Sequence, residues 1–399
     1  VELAAGDPKA AEQRLRKLRD QFDAQPKIAP LREAASMVTD DLTRMYRPAG
    51  YEEVMVRTML SICSLATDGS DAESYALQAQ QHQSQLAAAA KDRGLVAVDD
   101  FFQPIAISPY LRGILRESTH HDYDDAARSY QLVSAVCPTF PAAQADIARA
   151  SGGVHSAPGH GVLYVIACVG RGPVLQESVA PTTTTALAIA SATLNSNRKK
   201  SEPQDGTVHN RDGHKDDEHE PGLPNIASVK VPKVVLPPSD VVALGARVDG
   251  IAAGTTATLT DVGQLAANQI SAEMPWTIAR AVVRRATKET TVAGVGHNLG
   301  LDGSAASIFQ FAAGSLWSST EHADTRCWGM LPREIQALRI ELPTGMHQVE
   351  LVPLGLNTTP LAPGHLRQVD IVNGRNHYLL VIAPDRAIYV IDDQSANDR

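Results

Sequence analysis

Residues 105–146 constrain this chain more than any other stretch. Two amphipathic helical patterns run back to back there, joined by a tight acidic turn at 121–124. In the first, Tyr110, Ile114 and Leu115 recur at helical spacing, with Gly113 where a partner helix can approach closely. Asp122 and Asp124 are the candidate caps of the second. That helix carries Ala126, Ala127, Tyr130, Val133 and Val136 on one stripe and stops at Pro138 and Pro141. The order of aromatic, Leu-Arg-Gly, acidic-Tyr, spaced alanines, Tyr and Pro is how a tetratricopeptide-type helix pair is written. Tyr110, Arg112, Tyr123 and Tyr130 are its candidate packing and interaction residues. An ordinary helical hairpin is the plainer alternative.

Weaker echoes of this unit precede it. Residues 2–24 read as Gly-Asp followed by a helix with Leu15, Leu18 and Phe22 on one face, and residues 31–46 as another amphipathic helix. Pro48 and Gly50 break the pattern, and Glu52 and Glu53 favour the start of the next helix, which runs to Leu65. The turn 68–71 then opens an Ala-rich helix to about Lys91. A unit of this kind cannot bury its apolar stripe alone, so a stack of degenerate helix pairs over 1–150 is the economical reading.

After Gly152-Gly153 the character changes. Residues 161–168 form a short apolar run rich in β-branched and aromatic residues, which predicts a strand. Gly170-Arg171-Gly172-Pro173 ends it, and 174–180 resumes an extended pattern. Glycines flanking an Arg at a strand exit suggest close backbone contacts, with Arg171 bridging the helical array and the β region through a carboxylate such as Glu177 or one from the array. The polar stretch 195–224 reads as a disordered insertion, and its His209, His214 and His219 as candidates for loose metal binding. An edge strand over 226–236, a second strand region over 248–259 and a long helix over 262–288 follow, with a kink near Pro275. Arg280, Arg284 and Arg285 read as its solvated face. A glycine-rich break at 294–303 and a helix over 304–320 precede a β-patterned tail. The fold class is therefore α+β, divided as a helical array (1–150), a mixed α/β region (151–335) and an antiparallel β domain (336–399).

A chain of 399 residues with 43% hydrophobic content can fill more than one core. The formal charge of −9 argues against a nucleic-acid partner, and no apolar run is long enough to span a membrane. Cys63, Cys137, Cys168 and Cys327 stand alone without CxxC spacing, and spacing decides neither a disulfide nor its absence. No GxSxG elbow, HExxH helix or nucleophilic-Cys signature is present. His155, Ser156 and His160 flank one glycine-rich loop and His297 lies in another. Arg326 and Trp328 sit in a segment that reads as a structural hinge, with Asp324 or Glu334 as the Arg326 partner. No catalytic, cofactor or metal residue is assigned.

Tyr46-Arg47-Pro48-Ala49-Gly50-Tyr51-Glu52, Pro109-Tyr110-Leu111-Arg112-Gly113, Gly170 to Glu177, Ala323 to Pro332 and Leu342 to His347 occur in an order and spacing that resembles a family. It is an uncharacterised family of bacterial envelope lipoproteins with tetratricopeptide-like helices. The resemblance implies a place in the periplasm, with outer-membrane anchoring through lipid outside the given sequence, and other envelope proteins as partners in a multi-subunit assembly. It implies no reaction. No lipobox cysteine is visible, and a chain that opens without Met on a helical pattern reads as a mature or trimmed product. The expected function is a non-enzymatic scaffold acting through helical repeats. The alternatives are a hydrolase at the helical–β junction, gathering His155, His160 and the 170–177 loop, or metal binding by the His-rich stretch.

Overall fold

The structure is a computed structural model that describes residues 1–25, 46–92, 102–201, 228–298 and 322–392. Six helices precede residue 152 among these: α1 (Pro8–Asp23), α2 (Gly50–Leu65), α3 (Ala72–Asp92), α4 (Ile107–Glu117), α5 (Tyr123–Val136) and α6 (Ala143–Ser151). The remainder comprises β1 (His160–Arg171), β2 (Val174–Pro181), α7 (Thr184–Ser201), β3 (Ser228–Val235), β4 (Ala243–Val248), β5 (Ile251–Thr255), β6 (Ala257–Asp261) and α8 (Val262–Asn298). It ends with β7 (Pro332–Pro343), β8 (Gly345–Leu354), β9 (His365–Ile371), β10 (Asn376–Ala383) and β11 (Tyr389–Asp392). Helices lead and sheets follow, so the fold is α+β.

Local chemistry explains the helix starts. Asp7 caps α1, accepting from the Ala10 amide at 2.9 Å. Glu52, in the first turn of α2, accepts from the Ala49 amide at 2.9 Å. Asp122 stands at the start of α5, but its side chain does not cap; it pairs instead with Arg116 at 3.0 Å. Asp261 receives the Gln264 amide at 2.8 Å and starts α8.

The strands form a five-stranded sheet in the order β11-β10-β1-β7-β6, a four-stranded sheet β5-β4-β8-β9, and the ribbon β2-β3. β1 pairs parallel with β10 and antiparallel with β7. Its side chains alternate between two cores. Val162, Tyr164 and Ile166 join the core under the helices, and Leu163, Val165, Ala167 and Val169 join the core between the sheets. A strand covered on both faces must be apolar throughout, which is why 161–168 reads as an unbroken run. The β7 strand obeys the same parity. Ile335 and Ala337 face the helices and Ile340 and Leu342 the second sheet, so Arg339 and Glu341 share parity with the helix face.

Several expectations are corrected. The tail strands do not form a sheet by themselves: β10 and β11 extend β1, while β8 and β9 join β4 and β5. β7 runs through the 335/336 division. α7 continues to Ser201, into the stretch read as a polar insertion, and α8 continues to Asn298, into the expected glycine-rich break. Arg284 is buried, not solvated. The helix expected over 31–46 (all but Tyr46), the helix expected over 304–320, and His209, His214 and His219 lie outside the described residues.

Candidate functional site

The side chains that bring most chemistry together lie in the seam between α4–α6 and the five-stranded sheet. Gly113 on α4 lets α5 approach: a Cβ there would stand 2.6 Å from Cε1 of Tyr130. Tyr130 is fully buried and donates its hydroxyl to Glu117 Oε2 at 2.6 Å. Arg149, on α6, grips both Glu117 oxygens, with Nη2 to Oε2 at 2.9 Å, and gives Nη1 to Asp146 Oδ1 at 2.7 Å. Its guanidinium also lies 5.8 Å from the Tyr130 ring centroid. Glu117 is 0% exposed and Asp146 2%. Two carboxylates at that depth require this cation, because an unpaired buried charge is far costlier than a paired one.

Tyr110 forms the aromatic centre, with ring centroids 6.1 Å from Tyr130, 5.5 Å from Phe140 and 6.4 Å from Tyr164. The Tyr110 hydroxyl and the second Asp146 oxygen have no hydrogen-bond partner among the described residues. Burial lifts the Asp146 carboxyl above its usual range against the pull of Arg149, and pushes the Tyr110 and Tyr130 hydroxyls well up. For Arg149 burial opposes the charge, but the Glu117 bonds outweigh it and the group stays protonated.

At the far end of the seam, Asn376 gives its amide nitrogen to Ile114 O and Tyr378 Oη, both at 3.1 Å. Its Oδ1 therefore receives the His155 Nε2 hydrogen, at 2.7 Å. The other ring nitrogen of His155 lies 3.1 Å from Ser156 Oγ, which also reaches His160 O at 3.0 Å. Burial holds His155 below its ordinary pKa. His160 does not meet His155: its Nδ1 bonds Pro158 O at 3.2 Å. The ring packed against His155 is that of His120, with centroids 4.9 Å apart and the planes tilted by 56°. Among the described residues no carboxylate hydrogen-bonds to His155, and the 170–177 loop does not join this group.

The sequence-predicted residues divide cleanly. Tyr110 and Tyr130 are in the seam. Arg112 lies at its outer side, bonding Glu73 at 3.3 Å and Ser129 at 3.3 Å, and Tyr123 reaches His120 Nδ1 at 3.5 Å. Gly170 adopts a left-handed φ of +72°, and a Cβ on Gly172 would stand 2.3 Å from Leu331 O, so both glycines are required. The Arg171 expectation is corrected: among the described residues it pairs with neither Glu177 nor the helices, but lies exposed 3.6 Å from Asp385, while Glu177 pairs with Lys230 at 3.0 Å. Arg326 bonds Asp324 at 2.7 Å and stacks on Tyr46 at 5.7 Å, and the Trp328 amide donates to the buried Glu52. The 322–331 segment is thus tied to the start of α2.

Glu117, Asp146, Arg149 and Asn376 were missed, as was Arg339, whose Nη2 donates to His155 O at 2.5 Å. The signal for Glu117 was present: it follows Tyr110 and Ile114 on the buried stripe of α4, where a carboxylate needs a cation. Two clefts lie elsewhere. One of about 1200 Å³ separates the start of α1 from the edges of β9 and β11. One of about 590 Å³ opens at the end of β1. No protein family matches the sequence, and no curated protein or solved structure is significantly similar to it.

Proposed function

We propose that this chain is a non-enzymatic interaction scaffold of the bacterial cell envelope, its first 150 residues a tetratricopeptide-like array. One observation carries the reading. The inner face of α4–α6 is consumed by the seam, whose carboxylates are held by Arg149, so a partner meets their outer face. There Leu77 on α3 and Leu132 on α5 stand 43% and 44% exposed and offer a partner apolar side chains to cover. Other envelope proteins, assembled with it in a multi-subunit complex, are the partners this reading names. Attachment to the outer membrane through a lipid outside the given sequence belongs to it too. No helix among the described residues is long and apolar enough to cross a membrane.

Cross-linking in envelope extract tests it. The full chain should capture a defined partner, and Leu77→Asp with Leu132→Asp should lose it while the melting temperature is kept. Equal capture by both chains, or none by either, would sink the reading.

A hydrolase at the junction rests on the Ser156–His155–Asn376 chain of contacts, in which neutral His155 faces a serine hydroxyl at 3.1 Å. Covalent labelling by a fluorophosphonate probe, abolished by Ser156→Ala, would favour it; an unlabelled parent chain would end it.

A further inference from the structure

The cleft of about 590 Å³ at the end of β1 is built from both sheets. Val169 and Gly170 come from β1, residues 239–242 from the approach to β4, Arg333 and Glu334 from β7, and Gly355, Leu356, Thr359 and Leu361 from the turn after β8, with Arg386 at the rim. Its charges do not contribute equally. Arg386 is spent on Asp240, at 2.7 Å. Glu334 accepts from Thr258 Oγ1 and from Gln336 Nε2, the latter at 2.9 Å. Arg333 alone is uncommitted: among the described residues it makes no ion pair, and its Nε is buried without a hydrogen-bond partner. A buried guanidinium nitrogen with no acceptor is an unmet demand for an anion.

The backbone around it departs from ordinary conformations. Gly170 is left-handed at +72°, and a Cβ there would press to 3.1 Å on the Arg333 Cβ. Across the cleft, Asn357 and Thr358 are both left-handed, at 58° and 59°, and for a β-branched Thr that is a true outlier. Apolar side chains of Val169, Val241, Val242 and Leu361 complete the lining.

We propose that this cleft binds a small organic carboxylate, its head group on Arg333 and its hydrocarbon body on the valines and Leu361. Charge selects the head group. Arg333 and Arg386 balance Asp240 and Glu334, so a monoanion leaves the cleft at one net negative charge. A phosphate dianion would leave two, beside two fixed carboxylates.

Calorimetric titration of the full chain with hexanoate tests this, with hexylamine and inorganic phosphate as comparison probes. Saturable hexanoate binding is expected, with hexylamine and phosphate inert. Arg333→Gln should weaken it about tenfold or more, the loss of a charged hydrogen-bonding partner. Val242→Trp fills the cleft without touching Arg333 and should abolish binding, which keeps the test valid if Arg333→Gln folds poorly. Arg171→Gln, outside the cleft, should bind as the parent does. No hexanoate binding, phosphate binding in its place, or full affinity in Val242→Trp would each overturn the proposal.

Discussion

Two tyrosines in one cluster respond oppositely to the same substitution. Tyr130 donates to the buried Glu117 at 2.6 Å, so Tyr130→Phe leaves that carboxylate short of a donor. The cost should be about 1–3 kcal/mol, the usual penalty for stranding a buried polar group. Tyr110 is equally buried, but its hydroxyl has no partner among the described residues, so Tyr110→Phe removes a desolvated group and keeps the ring contacts. It should be neutral or mildly stabilising. Urea midpoints of the two variants decide it; equal losses would refute the assignment. His155 supplies a pH dependence at the same scale. Its folded pKa is depressed, first by burial and further by His120 and Arg339, from an ordinary 6.5. Below pH 6.5 the unfolded chain therefore takes up the proton that the folded chain resists, and stability falls as pH drops through that window. His377, also depressed by burial, acts in the same direction. Replacing His155 with Gln should flatten part of this slope between pH 6.5 and 5, read from melting temperatures; an unchanged slope would show that His155 contributes nothing.

At the scale of elements, what ties the 322–331 segment to the helices is a carboxylate, not the strand-exit arginine. Glu52 accepts from the Trp328 amide, the Ala49 amide and the Tyr46 hydroxyl, all from within the first turn of α2. Glu52→Ala strands these donors and should open the 322–331 segment to limited proteolysis near Arg326. Arg171→Ala, which loses only an exposed contact at 3.6 Å, should change stability by less than about 0.5 kcal/mol and leave the digest unaltered. A shared digestion pattern would count against this division of labour. The same elements mark how far sequence reading carries. Strand β1, the α4–α5 pair with Gly113 at its crossing, and the need for glycine at 172 were legible because each is a local rule of period, size or spacing. Arg171 was misassigned because an ion pair is set by the tertiary position of a partner, and the Gly-flanked exit turns its side chain toward Asp385. Arg149, Arg339 and Asn376 were invisible for the converse reason. Their meaning depends on strand parity and on Glu117, which lies 32 residues away along the chain from Arg149.

Across the whole molecule, β1 is the shared wall of two cores, and cooperativity should follow from that. Ile166 is buried among the helices and Leu163 between the two sheets, 1% and 0% exposed, three residues apart on one strand. Neither core can lose its wall without exposing the other face of the same strand. Ile166→Ala and Leu163→Ala should each cost about 2–5 kcal/mol through lost burial and the cavity left behind. If the cores were independent, Leu163→Ala would melt the β5-β4-β8-β9 side first and leave the helical signal standing. Because the register ties β1 to β7 over residues 160–171 and to β10 over 162–169, the expectation is different. Both variants should show one transition, coincident by far-ultraviolet dichroism for the helices and by tyrosine fluorescence for the seam, moved down by similar amounts. A biphasic melt in Leu163→Ala, with helicity surviving the first step, would mean that the second sheet is a separable layer and that the helices and five-stranded sheet form the cooperative unit alone.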